Sequence, residues 1–455
     1  MNRAFLAIAT TFVVVGCGDA GSDNATAGAD GSGGIPSAES DGDGGTPAPA
    51  TSGADASQGG EGTDTSAGPD DTADAADAND GGDPPIVFDL LHIPDSPPPT
   101  GCGNGGGGVG GDLEFSYIWI ANSGQNTVSK VNTQSLIEEG RYYTRPDSQG
   151  SPSRTSVGLA GDVAVANRTG GLTKYYAHPD NCVDLNGNGS IETSSGAVDI
   201  LPWAAEECRA WHTPFTYTSQ RPVAWTQGEW NPAQCAVENA KVWTTGVLNG
   251  TIEVVLVDGD TGVIEESVMV PEVAAGFFGF YGGAVDTDGN LWASQLGGGS
   301  LMRMNLNDLS DYSLWTQPAG GYGMTLGPSG YVFTCSSSVG RFDPATETWM
   351  TASVGGSTGC MEDNNGILWI AGSPVIGVDV NTLAVTYSYM LPNYVRGVSV
   401  DFDGYVWGVS QQTQAYKMDP ATGLFDTVNG LTSPYTYSDM TGFALSSVGG
   451  GIPSG

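Results

Sequence analysis

Gly283-Ala-Val-Asp-Thr-Asp-Gly-Asn-Leu-Trp-Ala-Ser294, followed by Ser300-Leu-Met-Arg-Met-Asn305, is the stretch that decides the fold. A short strand runs into an Asp-Gly-type turn, a second strand passes through Trp292, and a third ends on Asn305. The unit returns as Met324–Cys335 with Val339-Gly-Arg-Phe-Asp343, and as Met361–Ala371 with Ile376-Gly-Val-Asp379. It appears again as Val398–Val409 with Ala415-Tyr-Lys-Met-Asp419. Such hairpin turns need residues that tolerate positive φ, which Gly289, Gly330, Gly366 and Gly404 supply. A fourth, weaker strand follows in Thr348–Thr351 and Val385–Ser388.

Earlier and looser copies run Tyr117–Ala121 with Val128–Val131, Gly161–Val165 with Leu172–Tyr175, and Lys241–Thr244 with Ile252–Val257. The second-strand anchors are then Trp119, Ala164, Trp243, Trp292, Phe333, Trp369 and Trp407, spaced 45, 79, 49, 41, 36 and 38 residues apart. A period near 40 with four strands is the blade of a β-propeller. The sequence therefore predicts an all-β, seven-bladed propeller of four-stranded antiparallel blades over 113–448, with an insertion of about 179–240 accounting for the long interval. Tyr117 lacks a first strand before it, whereas Thr441-Gly-Phe-Ala-Leu445 reads as a first strand with nothing after it. The C-terminal strand is thus expected to complete the blade begun at Tyr117 and close the ring.

Outward from the repeats, the N-terminus changes character. Ala4–Val15 is a run of twelve apolar residues, about 18 Å as a helix and too short to span a bilayer. It ends Val14-Val15-Gly16-Cys17, so 1–17 reads as a bacterial lipoprotein signal with Cys17 as the acylated residue. From Cys17 to Thr100 there are 17 Asp and Glu and no Lys or Arg. Residues 18–83, almost wholly Gly, Ala, Ser, Thr and Asp, are expected to form a disordered acidic tether. An apolar strap and Gly-rich linker follow over 84–112, and 449–455 reads as a flexible tail. The expected location is the bacterial cell envelope, as an outer-membrane or surface lipoprotein.

The pattern Val-Asp-x-Asp-Gly-x-Leu-Trp, followed by Arg, a hydrophobic residue and Asn or Asp, resembles the streptogramin (virginiamycin B) lyase-like propellers and, more loosely, NHL-type propellers. The resemblance covers about Leu113–Val448 and is clearest after Gly283. It implies a carbon–oxygen lyase with a late-blade His, a carboxylate and a divalent metal. The three histidines are His92, His178 and His212, none in the last four blades. No catalytic residue is assigned.

Composition narrows the functional classes. Net charge is −37, from 51 Asp and Glu against 14 Lys and Arg, which excludes a phosphate-tracking nucleic-acid surface. Six cysteines remain besides Cys17, and in an exported chain they suggest disulfides: Cys182–Cys208, Cys335–Cys360 and Cys102–Cys235 are the expected pairs. Asp184, Asn186, Asn188, Ser190 and Glu192 match the start of a calcium loop, with Gly189 at the sixth position. The twelfth position is Ser195, so the site needs Asp199, Glu206 or Glu207 to fold back. Asp286/Asp288 and Asp401/Asp403 flank repeated turns and read as turn chemistry.

Aligning the blades puts Arg154, Arg221 and Arg396 at the starts of innermost strands, where Tyr281, Tyr322, Thr358 and Thr441 stand in other blades. These positions should ring one mouth of the channel. Arginines there suit a carboxylate, sulfate or phosphate, with tyrosines as walls; alternatively each braces an acid such as Glu362 or Asp363. The reading is a monomeric, lipid-anchored, surface-displayed, non-enzymatic module that binds a ligand, protein or glycan. Its alternatives are a lyase of the streptogramin type and a calcium-stabilised envelope scaffold.

Overall fold

A computed structural model describes residues 116–231 and 236–449. Cys17, the 18–83 tether, the 84–112 strap, Cys102, Cys235 and residues 450–455 lie outside the described residues.

Blade 1 contains β1 (Tyr117–Asn122), β2 (Thr127–Asn132) and β3 (Glu138–Tyr143). Blade 2 is β4 (Pro152–Val157), β5 (Val163–Asn167), β6 (Leu172–Tyr175) and β7 (Arg209–Thr213). Blade 3 starts with β8 (Ser219–Trp225), makes a side hairpin of β9 (Glu229–Asn231) and β10 (Ala236–Glu238), and continues as β11 (Lys241–Leu248), β12 (Thr251–Asp258) and β13 (Ile264–Val270). Blade 4 is β14 (Phe280–Val285), β15 (Leu291–Gln295), β16 (Gly299–Asn305) and β17 (Asp308–Gln317). Blade 5 is β18 (Gly323–Leu326), β19 (Val332–Cys335), β20 (Ser338–Asp343) and β21 (Thr348–Ser353). Blade 6 is β22 (Cys360–Glu362), β23 (Ile367–Ile370), β24 (Val375–Asp379) and β25 (Val385–Tyr389). Blade 7 is β26 (Val395–Val400), β27 (Val406–Ser410), β28 (Gln414–Met418) and β29 (Phe425–Asn429), and the described chain ends in helix α1 (Phe443–Gly449). Six blades are four-stranded sheets with neighbours paired antiparallel in chain order.

The chain's C-terminal segment completes blade 1, as expected, but with different residues. Pro434 bridges Asn122, Tyr435 donates its N–H to the Ala121 carbonyl, and the Trp119 N–H reaches the Met440 carbonyl at 2.8 Å. Thr441–Leu445 is no strand. Asp439 accepts from the N–H groups of Gly442 and Leu445 at 2.9 and 3.0 Å, which starts α1 instead. Phe443 and Leu445, both 4% exposed, carry α1 against β14, β18 and β26 at the end of the channel where the innermost strands finish. The void left between α1 and those strands is about 30 Å³, so the channel is filled at that end.

The expected insertion over 179–240 is two excursions. One runs from β6 to β7 and the other is the β9–β10 hairpin, with the outer strand of blade 2 and the inner strand of blade 3 between them. Two of the expected disulfides are present, Cys182–Cys208 within the first excursion and Cys335–Cys360 between blades 5 and 6. Disulfides point to an oxidising compartment outside the cytoplasm.

The repeated motif has a physical basis. Gly289, Gly330, Gly366 and Gly404 have φ of +77°, +74°, +72° and +82°, as their turns require. In blades 4, 6 and 7 the first Asp of the turn also holds the Trp six residues on: Trp292, Trp369 and Trp407 donate Nε1–H to Asp286, Asp363 and Asp401 at 2.8–3.0 Å. The Asp pairs are turn chemistry.

Blade 5 has no such Asp, and Glu362 from the next blade fills the place, accepting from Ser329 Oγ at 2.7 Å and Ser329 N at 3.1 Å. Burial raises its carboxyl to about 7, against those two hydrogen bonds. A carboxyl with a raised folded value ionises first in the unfolded chain. Stability is therefore full below about pH 4.5, falls as pH rises to 7, and is level above. Glu362→Gln should remove up to about 3 kcal/mol of that slope, seen as a smaller difference in Tm between pH 5 and pH 8.

Candidate functional site

At the end of the channel where the innermost strands begin, blades 2, 3, 4, 5 and 7 converge on the closing segment of blade 1. Arg154 stands on β4, Arg221 on β8, Tyr281 on β14 and Arg396 on β26, while Tyr322 immediately precedes β18. The structure thus brings together Arg154, Arg221, Arg396, Tyr281 and Tyr322, with Thr358 bonded to the Arg396 carbonyl at 2.7 Å. Thr441, expected here too, lies at the other end, where its hydroxyl donates to the Val400 carbonyl at the finish of β26. It adds Arg168, from the turn between β5 and β6, and Tyr435 and Tyr437, from the closing segment.

Guanidinium groups and phenol rings interleave. Arg154, 1% exposed, lies 3.1 Å from the Tyr437 ring centre and 4.9 Å from that of Tyr281, with Nη2 donating to the Tyr281 carbonyl at 2.7 Å. Arg168 lies 4.3 Å over Tyr435 and donates to Ser151 Oγ. Arg221 packs on Phe278 and Tyr281 at 5.0 and 5.3 Å. Arg396 donates Nη1–H to Tyr322 Oη at 2.6 Å and Nη2–H to Gln411 at 2.8 Å. The hydroxyls of Tyr281 and Tyr322 both meet that of Tyr435.

Acids are missing from this cluster. Among the described residues, none of Arg154, Arg168, Arg221 and Arg396 makes an ion pair, although Arg141, Arg145 and Arg303 all do. The brace to Glu362 or Asp363 is not made: Glu362 is taken by Ser329, and Asp363 by Trp369 and its own turn. Arg221 is 7% exposed and makes no hydrogen bond among the described residues, and the buried Nε atoms of Arg221 and Arg396 both lack an acceptor. Burial and the charge of Arg221 push the Arg168 guanidinium below its ordinary range. Burial would raise the Tyr435 phenol, but hydrogen bonds from Tyr281 and Tyr322 and the charge of Arg154 outweigh it and bring it down to about 8. Buried uncompensated charge is costly, and Arg154 and Arg221 are buried with no ion pair among the described residues. The rim adds apolar surface: Phe277, 69% exposed, sits edge-on to Phe278, and Tyr394 is 38% exposed beside Arg396.

Other candidates fare differently. A cleft of about 500 Å³ between blades 4 and 5 is lined by Trp315, Arg303 and Val448, but its arginine is already paired with Asp286 and Asp288. His178 caps the short turn Pro179–Asn181, and His212 stands on the outer strand β7 against Thr173 and Trp203. Burial and the charges of Arg145 and Arg209 bring His212 down to about 4.

Along the 184–192 loop, Asp184 accepts from the N–H groups of Gly187 and Gly189, and Asn188 Oδ1 accepts from Ser190 N. Glu192 takes the amides of Asn186 and Asn188. Glu207, 2% exposed, folds back onto the loop and accepts from Leu185 N and Glu192 N at 2.9 and 2.8 Å. Glu206 holds Ser194, and Asp199 holds Ser195. Among the described residues no three His, Cys, Asp or Glu side chains form a metal-holding group. An ion here would lean on Asn oxygens and carbonyls beside Asp184.

No family model matches the chain. No curated protein matches it either. Among solved structures, virginiamycin B lyase from Staphylococcus aureus is 14% identical, with 61% of this chain and 83% of that one covered at a TM-score of 0.41. A functionally unknown protein from Desulfotomaculum acetoxidans is 10% identical over 71% and 98% of the two chains, at 0.48. AztD from Citrobacter koseri is 11% identical over 70% and 96%, at 0.44.

Proposed function

We propose that this protein is a non-enzymatic binding module that takes an anionic ligand at the channel mouth, displayed on the cell envelope by a lipid anchor at Cys17. The observation that carries the binding reading is Arg221, nine-tenths buried, whose side chain has no ion pair or hydrogen bond and whose buried Nε has no acceptor among the described residues. A carboxylate, sulfate or phosphate group meets Arg168, Arg221 and Arg396, while Phe278, Tyr281 and Tyr394 hold the body that carries it. Calorimetric titration of the purified protein with sulfate, a uronic-acid glycan and an acidic peptide tests this. Saturable binding by at least one anion is expected, and silence from all three would sink it. The anchor has its own test, incorporation of a labelled fatty acid that is lost in Cys17→Ala.

For the 184–192 loop the proposal is a structural calcium ion, held by Asp184, Asn186, Asn188 and the Ser190 carbonyl. The return of Glu207 to the loop supports this. Swinging its carboxylate, or that of Glu192, onto the ion would replace the acid missing at the twelfth position. Calcium at about 1 mM is expected to raise Tm relative to EDTA, and Asp184→Ala should abolish the rise. Equal midpoints in both buffers would remove the ion.

A further inference from the structure

Four guanidinium groups without a carboxylate leave open what balances their charge when no ligand is bound. Among the described residues, Tyr435 is the one phenol at the mouth whose oxygen meets two other hydroxyls, those of Tyr281 and Tyr322. Arg396 donates to the Tyr322 oxygen, which leaves the Tyr322 hydroxyl to point at Tyr435. A Tyr435 oxygen that has lost its own proton can accept from both neighbouring hydroxyls, the arrangement that holds an oxyanion. The remaining charged and titratable groups around it favour the same state. Arg168 covers its ring at 4.3 Å from the β5–β6 turn, and Arg396 at 5.5 Å from β26. The Tyr437 ring lies 5.2 Å away on the same segment, with Arg154 stacked on its other neighbours. Arg221 stands beyond, on Tyr281. Among the described residues no acid is ion-paired to any of these arginines.

We infer that Tyr435 is the mouth's own displaceable counter-ion at alkaline pH: its phenolate then balances the arginines of the empty mouth, and an arriving anion replaces that charge. This rests on the binding reading above and adds a proton to it. The incoming anion and the phenolate repel across the same arginines, so Tyr435 takes a proton from solvent as the ligand seats, and no covalent bond changes. Binding is then linked to the uptake of one proton at pH values where the phenol is ionised, and to none where it is already protonated. With the phenol brought down to about 8, affinity at pH 9 falls to about one tenth of that at pH 6.

Two measurements on the full chain test this. The first is an ultraviolet titration of tyrosinate: one phenol should ionise near pH 8, and Tyr435→Phe should lose that step. The second is calorimetric titration with sodium sulfate at pH 6 and pH 9, each in two buffers of different ionisation heat. The native chain should take up close to one proton per sulfate at pH 9 and almost none at pH 6. Tyr435→Phe should take up none at either pH and bind equally well at both. Absence of a phenol titrating below pH 9 overturns the inference, and so does proton uptake that persists in Tyr435→Phe. Failure of sulfate and every other anion to bind at pH 6 overturns the binding reading instead, while the tyrosinate titration still decides whether the counter-ion exists.

Discussion

Arg396→Glu is expected to weaken anion binding about 100-fold or more while leaving the fold intact. Truncating one member of a desolvated charge pair costs 2–5 kcal/mol, and the half-exposed position of Arg396 argues for the lower end. Reversing the sign adds repulsion to the loss, so roughly 3 kcal/mol, or a little over two decades in affinity, is the expected total. The fold should tolerate the change, because the Arg396 side chain meets Tyr322, Tyr394, Tyr435 and Gln411 at the rim, and its carbonyl keeps its hydrogen bonds from Thr358 and Gly359. Arg396→Lys keeps the charge but loses the two-pronged contact, and a smaller loss of about tenfold is expected. Calorimetry with the strongest anion, and a Tm within a few degrees of the native value, check both. Unchanged affinity in Arg396→Glu would mean that the mouth is not the seat.

The largest stability effect should come from Trp407→Ala. Trp407 is fully buried, in a cluster with Ile118, Ile120, Val131 and Met440 that joins blade 7 to blade 1. Deleting such a ring costs roughly 3–5 kcal/mol through lost burial and the cavity left behind. A second loss follows at Asp401, 0% exposed, whose carboxyl is pushed up by burial and held against that by the Trp407 N–H and by Lys417 at 3.7 Å. Trp407→Phe keeps most of the volume and strips only the donor, so about 1–3 kcal/mol is expected. Urea unfolding monitored by far-ultraviolet circular dichroism would rank the two. A cost under 1 kcal/mol for Trp407→Ala would show that the junction carries little of the ring's stability.

Much of the architecture was readable because one local motif does two jobs. Asp401-x-x-Gly404-x-x-Trp407 fixes a turn and a core ring at once, so its recurrence marks blade after blade. Where the motif fades, the reading slips. Blade 2 offers Ala164 in place of Trp, and the strand β7 vanished into one supposed insertion, whose bounds also ran over β8 although Arg221 had been placed at the start of an innermost strand. At the C-terminus, the apolar alternation of Thr441–Leu445 looked like a strand, while the irregular segment that closes the ring, with Tyr435 and Tyr437, was passed over. What decides there is the buried Asp439, which turns the chain into α1 by gathering backbone N–H groups. That slip also hid half of the mouth. Tyr435 and Tyr437 lie in a segment without regular structure, joined to blade 1 by one bridge and two backbone hydrogen bonds, so no periodicity marks them. Arg168 left no signal, since the turn after β5 follows no repeated pattern.

Ring closure also sets a timetable. β1 is among the first strands made, yet its inner partner begins at Pro434, and the Thr432 N–H bonds to Asn122 Oδ1 across 310 residues. Contacts so distant along the chain form late and pay a high entropy of loop closure. A chain that folds as it is made can therefore stack its middle blades while Trp119 and Ile120 wait at an open edge. The segment 432–440 acts as a latch, and a product lacking it would carry a sticky strand at β1 and join its neighbours instead of itself.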